Sequence, residues 1–304
     1  MQRTHTLSFE LMPPRDVNCA PNFWQCVDKL SKTHPDFLSV TYGAGGNDRK
    51  TSLEVNAKIV EDSPILPVAH LTCIDTPKDA VEDIANDFLA KGVRIFLALR
   101  GDHPKNSCYR DEIGPDTELV RDAAQLTYLL RSLDKKRQRQ TQADKFKSIT
   151  RPLVIGVATF PDGNPDLGTS ASGEVERLLQ KQDAGADFAI TQLYYDPKVF
   201  DDFISLARKR GVTIPIIAGV LPTWSPERLL RCEANIGIKP PHDLVRSLAD
   251  ACDTDSDDQR AREIGLAFWE DLCKRALESG APGVHMFTFN KWEPPIALTE
   301  RLEF

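Results

Sequence analysis

Ala80–Asp102 reads AVEDIANDFLAKGVRIFLALRGD, a helix pattern running directly into a strand pattern. Val81, Ile84, Ala85 and Phe88 recur at spacings of three and four, which puts them on one face of a helix over Ala80–Lys91. Arg94–Gly101 is then a nearly unbroken apolar run that finishes on Arg100 and Asp102. Such a run fits a parallel strand covered on both faces rather than a half-solvated one.

The same unit repeats outward in both directions. Strands are expected at Leu7–Met12, Phe37–Tyr42, Pro67–Cys73, Leu153–Phe160, Phe188–Tyr195, Ile214–Leu221 and Val284–Phe289 as well. Helical periodicity fills the gaps at Leu53–Glu61, Glu118–Ser132, Gly173–Ala184 and Lys198–Arg210. Eight strands alternating with helices point to a closed (β/α)8 TIM barrel, in which a chain of 304 residues is a single domain, 1–304. An open doubly wound sheet is the competing architecture, but no GxGxxG turn follows the first strand.

Composition narrows the function. Hydrophobic residues make up 41% and charged residues 27% of the chain, a globular balance. With 38 basic and 45 acidic side chains the net charge is −7, so neither nucleic acid nor an anionic membrane is expected as a partner. No apolar run reaches the roughly 20 residues of a membrane span. The opening MQRTHTLSFELMPPRD has no secretory pattern, and the seven cysteines lack any CxxC pair. A cytoplasmic protein with reduced thiols and no metal site is the expectation.

Two connections are long. Asp134–Arg151 is polar and rich in Lys and Arg, and reads as a basic, solvated linker on the N-terminal face of the barrel. Pro240–Gly280 holds two helices, Asp243–Cys252 and Asp257–Ser279. Asp253, Asp255, Asp257 and Asp258 lie between them without the glycine or closing glutamate of a calcium loop, and serve better as a helix cap.

In a barrel, polar groups that close apolar strands mark the active face. Here they are Glu10, Thr41, His70, Thr72, Arg100, Asp102, Thr191, Gln192, Thr288, Asn290 and Lys291. Gathering them at one mouth without a ligand would cost several kcal/mol of desolvation. Glu10, set between Phe9 and Leu11 and followed by Pro13 and Pro14, reads as a general acid or base with a pKa raised by burial. An ion pair with Arg15 or Arg100 would serve the same residue structurally. His285 and His103 stand without spaced partners and read as packing residues.

Taken in order, SFELMPPR, LSVTYGAGGNDR, AHLTCID, LALRGD, AGADFAITQLYYD, AGVLP and TFN resemble the methylenetetrahydrofolate reductase family in its bacterial single-domain form, over about Leu7 to Asn290. That resemblance implies a barrel holding non-covalent FAD, with NADH or NADPH and 5,10-methylenetetrahydrofolate as alternating substrates and 5-methyltetrahydrofolate as product. A homo-oligomer is also expected. Glu10 matches the family's acid, which protonates N10 of the folate; Asp102 matches the aspartate between flavin and folate, and could add the negative charge that keeps Glu10 protonated. Gln192 matches the glutamine that contacts folate and nicotinamide in turn. The resemblance carries FAD contacts onto Thr41, Tyr42, Ala44, His70, Arg100, Gly101, Asp102, Ala123, Phe160, Asn164 and Lys181, and folate contacts onto Gln192, Trp224 and Lys291.

Some positions depart from the family. Phe160 and Asn164 stand for a more usual tyrosine and histidine, Glu174 and Arg177 for aspartate and asparagine, and Pro226 for a stacking phenylalanine whose place Trp224 is expected to take. Two other readings stay open: a flavin- or folate-binding subunit fed electrons by a partner protein, and the reverse oxidation in one-carbon catabolism.

Overall fold

The structure, a computed structural model, describes residues 4–42, 49–102, 114, 116–143, 152–254 and 259–304. Eight parallel strands pair strictly in chain order and close on themselves. They are β1 (Thr6–Leu11), β2 (Phe37–Val40), β3 (Leu66–Thr72), β4 (Ile95–Leu99), β5 (Val154–Thr159), β6 (Phe188–Thr191), β7 (Ile216–Val220) and β8 (Gly283–Phe287). The helices are α1 (Pro21–Ser31), α2 (Arg49–Asp62), α3 (Lys78–Ala90), α4 (Ala123–Ala143), α5 (Ala171–Asp183), α6 (Pro197–Arg210), α7 (Pro226–Ile236), α8 (His242–Thr254), α9 (Gln259–Glu278) and α10 (Glu293–Arg301).

Strand alternation divides the core in two. Leu7, Phe9, Leu11, Phe96 and Val284 point outward into the layer shared with Phe88, Phe200, Phe203 and Trp269 of the helices. Phe37, Val68, Leu97, Ile190 and Ile217 fill the barrel interior. Gly156 is fixed by this packing: a Cβ there would lie 2.4 Å from the Phe188 ring.

The helices end where chemistry allows. Asp196 caps α6 by accepting the Lys198 N–H, Pro197 opens the first turn, and Gly211 leaves in the left-handed conformation. α1, α7 and α10 were not named from periodicity, and all three carry proline in the first turn. Proline reads as a breaker in sequence, yet the first turn has no use for its missing N–H.

Two expectations are corrected. Asp134–Arg151 is not a linker at its start, because α4 continues to Ala143. Asp134 is buried and accepts the Leu153 N–H at 3.2 Å and an Arg137 N–H at 2.8 Å, while Lys135, Lys136 and Arg139 face solvent. Residues 144–151 lie outside the described residues, as do Ala44, His103 and most of the acidic run before α9. The sixth strand is also shorter than read. Leu193, Tyr194 and Tyr195 are buried against helices, with Tyr194 stacked on Phe200 at 5.4 Å and Tyr195 beside Trp269 at 5.9 Å. Their apolar character reflects this packing rather than a ladder.

Candidate active site

At the C-terminal ends of the strands the polar groups gather as the sequence suggests. Glu10 projects inward from β1; Ser39 is its register partner on β2 and Phe287 its partner on β8. Its carboxylate reaches across β2 to within 3.9 Å of His70 Nε2 on β3, too far for a hydrogen bond. Only a fifth of the Glu10 side chain is exposed. Burial raises its pKa from 4.5 to about 7, and burial lowers that of His70 to about 3. His70 is therefore neutral, and the contact is not an ion pair. Nor does Glu10 pair with Arg15 or Arg100 among the described residues. The expectation that Asp102 helps hold the proton on Glu10 is corrected too: the cause of the shift is burial, with no contribution from the Asp102 charge, and Asp102 sits exposed at the lip.

The β1–β8 seam fixes the strand that bears Glu10. Thr288 donates its hydroxyl to the Glu10 carbonyl at 2.6 Å. Asn290 holds both backbone groups of Met12, accepting its N–H at 2.9 Å and donating to its carbonyl at 2.7 Å. To do this, Phe289 and Asn290 take left-handed backbone angles of φ 48° and 57°. Two consecutive residues of this kind cost free energy that the clamp must offset.

Two buried polar atoms that face the mouth, Thr41 Oγ1 and His70 Nε2, have no hydrogen-bond partner among the described residues. Orphans of this kind are costly in a finished interior and signal groups waiting for a ligand. The Thr41 hydroxyl can donate or accept, and neutral imidazole can do either, which suits the carbonyl and N–H edges of a flavin ring. Thr159 Oγ1 is orphaned as well, but it shares the outward parity of Val157 on β5 and so faces the helix layer rather than the mouth.

The remaining expected residues fall as follows. Gln192 Oε1 accepts the Leu193 N–H at 2.8 Å, which leaves its NH2 as the group to offer a ligand. Lys181 is buried on α5 and donates to the Ala158 carbonyl at 2.7 Å; burial lowers its pKa to about 8. Arg100 turns its Nε–H to the Gly101 carbonyl at 3.2 Å, and Gly101, at φ 84°, has no room for a Cβ beside Thr72. Ala123 is buried at the start of α4 and Phe160 half-buried past the end of β5. Tyr42 sets its ring edge against Phe88 of α3, 6.5 Å away, so only its backbone is well placed for the mouth.

The departures are locally partnered. Asn164 caps a short 3-10 turn by accepting the Asp166 N–H at 3.0 Å. Glu174 is buried and accepts from the Thr169 hydroxyl at 2.7 Å, with Arg177 at 3.4 Å. Pro226 is the buried first residue of α7. Trp224 is docked on α9, its Cβ against Gly265 and its ring 5.5 Å from the Arg262 guanidinium. Lys291 is exposed on the turn after β8. Cys73 donates to backbone carbonyls, that of Leu99 at 3.5 Å among them.

A parallel eight-stranded barrel with a near-neutral carboxylic acid and an orphaned hydroxyl at its C-terminal mouth places the chain in the (β/α)8 class, whose active sites lie at that end. Residues 1–303 match the family described as methylenetetrahydrofolate reductase, and the chain belongs to that family of oxidoreductases. It is 28% identical over 302 residues to 5,10-methylenetetrahydrofolate reductase of Pectobacterium carotovorum subsp. carotovorum, spanning 99% of this chain and 91% of that one. It is 30% identical over 296 residues to the probable methylenetetrahydrofolate reductase (NADPH) of Caenorhabditis elegans, spanning 95% of this chain and 41% of that longer one. Among solved structures, an uncharacterized Clostridium thermocellum protein that binds two copies of 5-methyl-5,6,7,8-tetrahydrofolic acid shares the fold. Its TM-score is 0.61 at 14% identity, covering 98% of this chain and 93% of that one.

Proposed function

We propose that this protein reduces 5,10-methylenetetrahydrofolate to 5-methyltetrahydrofolate with electrons from NADH or NADPH, the two substrates binding in turn at the barrel mouth. Glu10 carries this reading: a carboxyl whose pKa lies near 7 holds a proton at neutral pH and can still give it up. FAD, when bound, supplies the two-electron relay between nicotinamide and the folate methylene carbon.

The chain's own groups do the rest. Thr41 and His70 meet the flavin ring edges with the polar atoms they leave unpartnered. Arg100 and Lys181 supply the cations for its phosphates, and Tyr42, Ala44, Gly101, Asp102, Ala123, Phe160 and Asn164 complete the cofactor set. Glu10 gives its proton to N10 of the folate as the five-membered ring opens. The Asp102 carboxylate favours the cationic iminium so formed and holds the amino edge of the pterin. Gln192 offers its NH2 to folate and to nicotinamide in turn. Lys291 and Trp224 lie toward the folate's outer part, and the packing of Trp224 on α9 would hold its ring rigid for stacking on the aminobenzoyl group. The protein is proposed to act in the cytoplasm as a homo-oligomer.

An anaerobic absorbance titration tests the cycle. A flavin spectrum bleached by NADH or NADPH and restored by methylenetetrahydrofolate is the expected result. A flavin that neither nucleotide bleaches would favour delivery of electrons by a partner protein. Protein that stays colourless after FAD is added would overturn the cofactor assignment.

A further inference from the structure

Beneath Glu10 the barrel interior holds a second polar cluster that the proposed chemistry does not use. His285 points inward from β8 and is fully buried, its ring stacked on Phe37 at 5.7 Å and edge-on to Phe287 at 5.5 Å. Both ring nitrogens are taken by serine hydroxyls: Ser8 Oγ lies 2.8 Å from Nδ1, and Ser39 Oγ 3.2 Å from Nε2. Burial, with His70 nearby, lowers the His285 pKa to about 3, so the ring is neutral.

One assignment of protons satisfies every group in this cluster: the Ser8 hydroxyl donates to the Val284 carbonyl at 3.3 Å and accepts from His285 Nδ1–H at 2.8 Å. Nε2 is then the acceptor, and Ser39 turns its single O–H down toward it. Ser39 is the register partner of Glu10 on β2, the strand that the Glu10 carboxylate crosses to reach His70 on β3. With its proton committed below, Ser39 can present only lone pairs to the carboxyl above. Lone pairs accept from a protonated acid and repel a carboxylate.

We propose that His285 is a positioning residue: by holding the Ser8 and Ser39 hydroxyls it denies Glu10 a hydrogen-bond donor from below and so keeps the acid in its protonated form. The remaining titratable groups at the mouth are His70 from β3, Arg100 and Asp102 after β4, and Lys291 after β8, and none moves Glu10 by its charge. This inference rests on Glu10 being the acid of the proposed reaction, but its test is independent of turnover.

Carbon-13 NMR of the FAD-loaded protein labelled at glutamate carboxyls, with Glu10→Gln identifying the resonance, reads the titration of Glu10 directly. His285→Leu keeps the volume and frees the Ser39 proton to turn upward; the Glu10 midpoint should then fall by about 1 pH unit, the usual worth of a hydrogen bond to a charged acceptor. Adding Ser39→Ala to that variant should restore it. An unmoved midpoint in His285→Leu would overturn the proposal. Should that variant not fold, Ser39→Ala alone decides: the midpoint stays within a few tenths if the hydroxyl is already held by His285, whereas a rise of about 1 unit would show that Ser39 supports the carboxylate and would overturn it. A midpoint that moves as stated in a protein that never reduces the folate would leave the positioning role intact and remove the proposed reaction instead.

Discussion

The two ends of the barrel are both polar, but they treat their polar groups in opposite ways. At the lower rim, acids close the starts of the strands and every one has work. Asp36 accepts the Leu7 N–H at 2.8 Å, Asp134 that of Leu153, and Asp187 that of Ile155 at 2.7 Å while pairing with Arg131. Arg131 in turn donates to the Gly185 and Leu153 carbonyls. At the mouth, Thr41 and His70 keep buried polar atoms with no partner among the described residues, and Glu10 carries a proton it would lose in water. The lower rim also has a cleft of about 350 Å³ lined by Val60, Leu66, Ile95, Pro152 and Val154. Its cation, Arg94, is spent on the Leu89 and Val93 carbonyls, so the cleft offers shape without chemistry. The acids of the lower rim are spent on holding strand starts, whereas Thr41, His70 and Glu10 at the mouth keep polar atoms to offer a ligand.

The largest expected effect is at the mouth. Glu10→Gln should slow reoxidation of the reduced flavin by methylenetetrahydrofolate by about 10²–10⁴-fold, while flavin reduction by the nucleotide stays within a few-fold, measured by stopped flow. Equal slowing of both half-reactions would deny Glu10 its role as the acid.

Next comes stability. An unfolded glutamate ionises near 4.5, whereas folded Glu10 does so at about 7. Between those values the folded state binds a proton that the unfolded state has lost, so stability falls as pH rises through that window and the loss is complete above it. The loss is of order 3 kcal/mol, and Glu10→Gln should therefore melt higher than the wild type at pH 8 and lose that advantage below pH 4.5. A variant less stable at both pH values would erase the contrast between the two ends.

Smaller effects test the lower rim. Asp187→Ala strips an acceptor from Ile155 N–H and an anion from Arg131, and should destabilise by about 1–3 kcal/mol in urea unfolding while leaving kcat/KM unchanged. Smallest of all, Thr41→Val removes a hydroxyl that has no partner among the described residues. The flavin-free protein should be unchanged or slightly more stable, and FAD binding, followed by fluorescence, about 5–10-fold weaker, as expected for one hydrogen bond of about 1 kcal/mol.

Much of this was legible in the chain itself. Strand cores such as Arg94–Gly101 carry their fold class in composition alone, because a parallel strand must be apolar on both faces. Glu10 was legible for the same reason, as an acid where the pattern demands an apolar neighbour. Asp134 was not: in sequence it heads a basic run, and only the fold shows it buried against Leu153. His285 was unreadable because a lone histidine gains meaning only from Ser8, 277 positions away, and Ser39, 246 positions away. Nor could spacing show that burial, and not Asp102, governs Glu10, since solvent access is a property of the closed mouth.

The seam between β1 and β8 has a consequence for how the molecule comes into being. The Asn290 clamp and the Thr288 bond both span 278 positions to reach the first strand. During synthesis, β1 therefore leaves the ribosome with one edge unpaired and stays so until almost 290 residues have been made. Its acid has no complete setting until then, and an exposed strand edge is a site for misassociation. The last strand to be translated is thus the one that both closes the barrel and finishes the active site, so a nascent chain has no catalytic ability to show before its folding is nearly over.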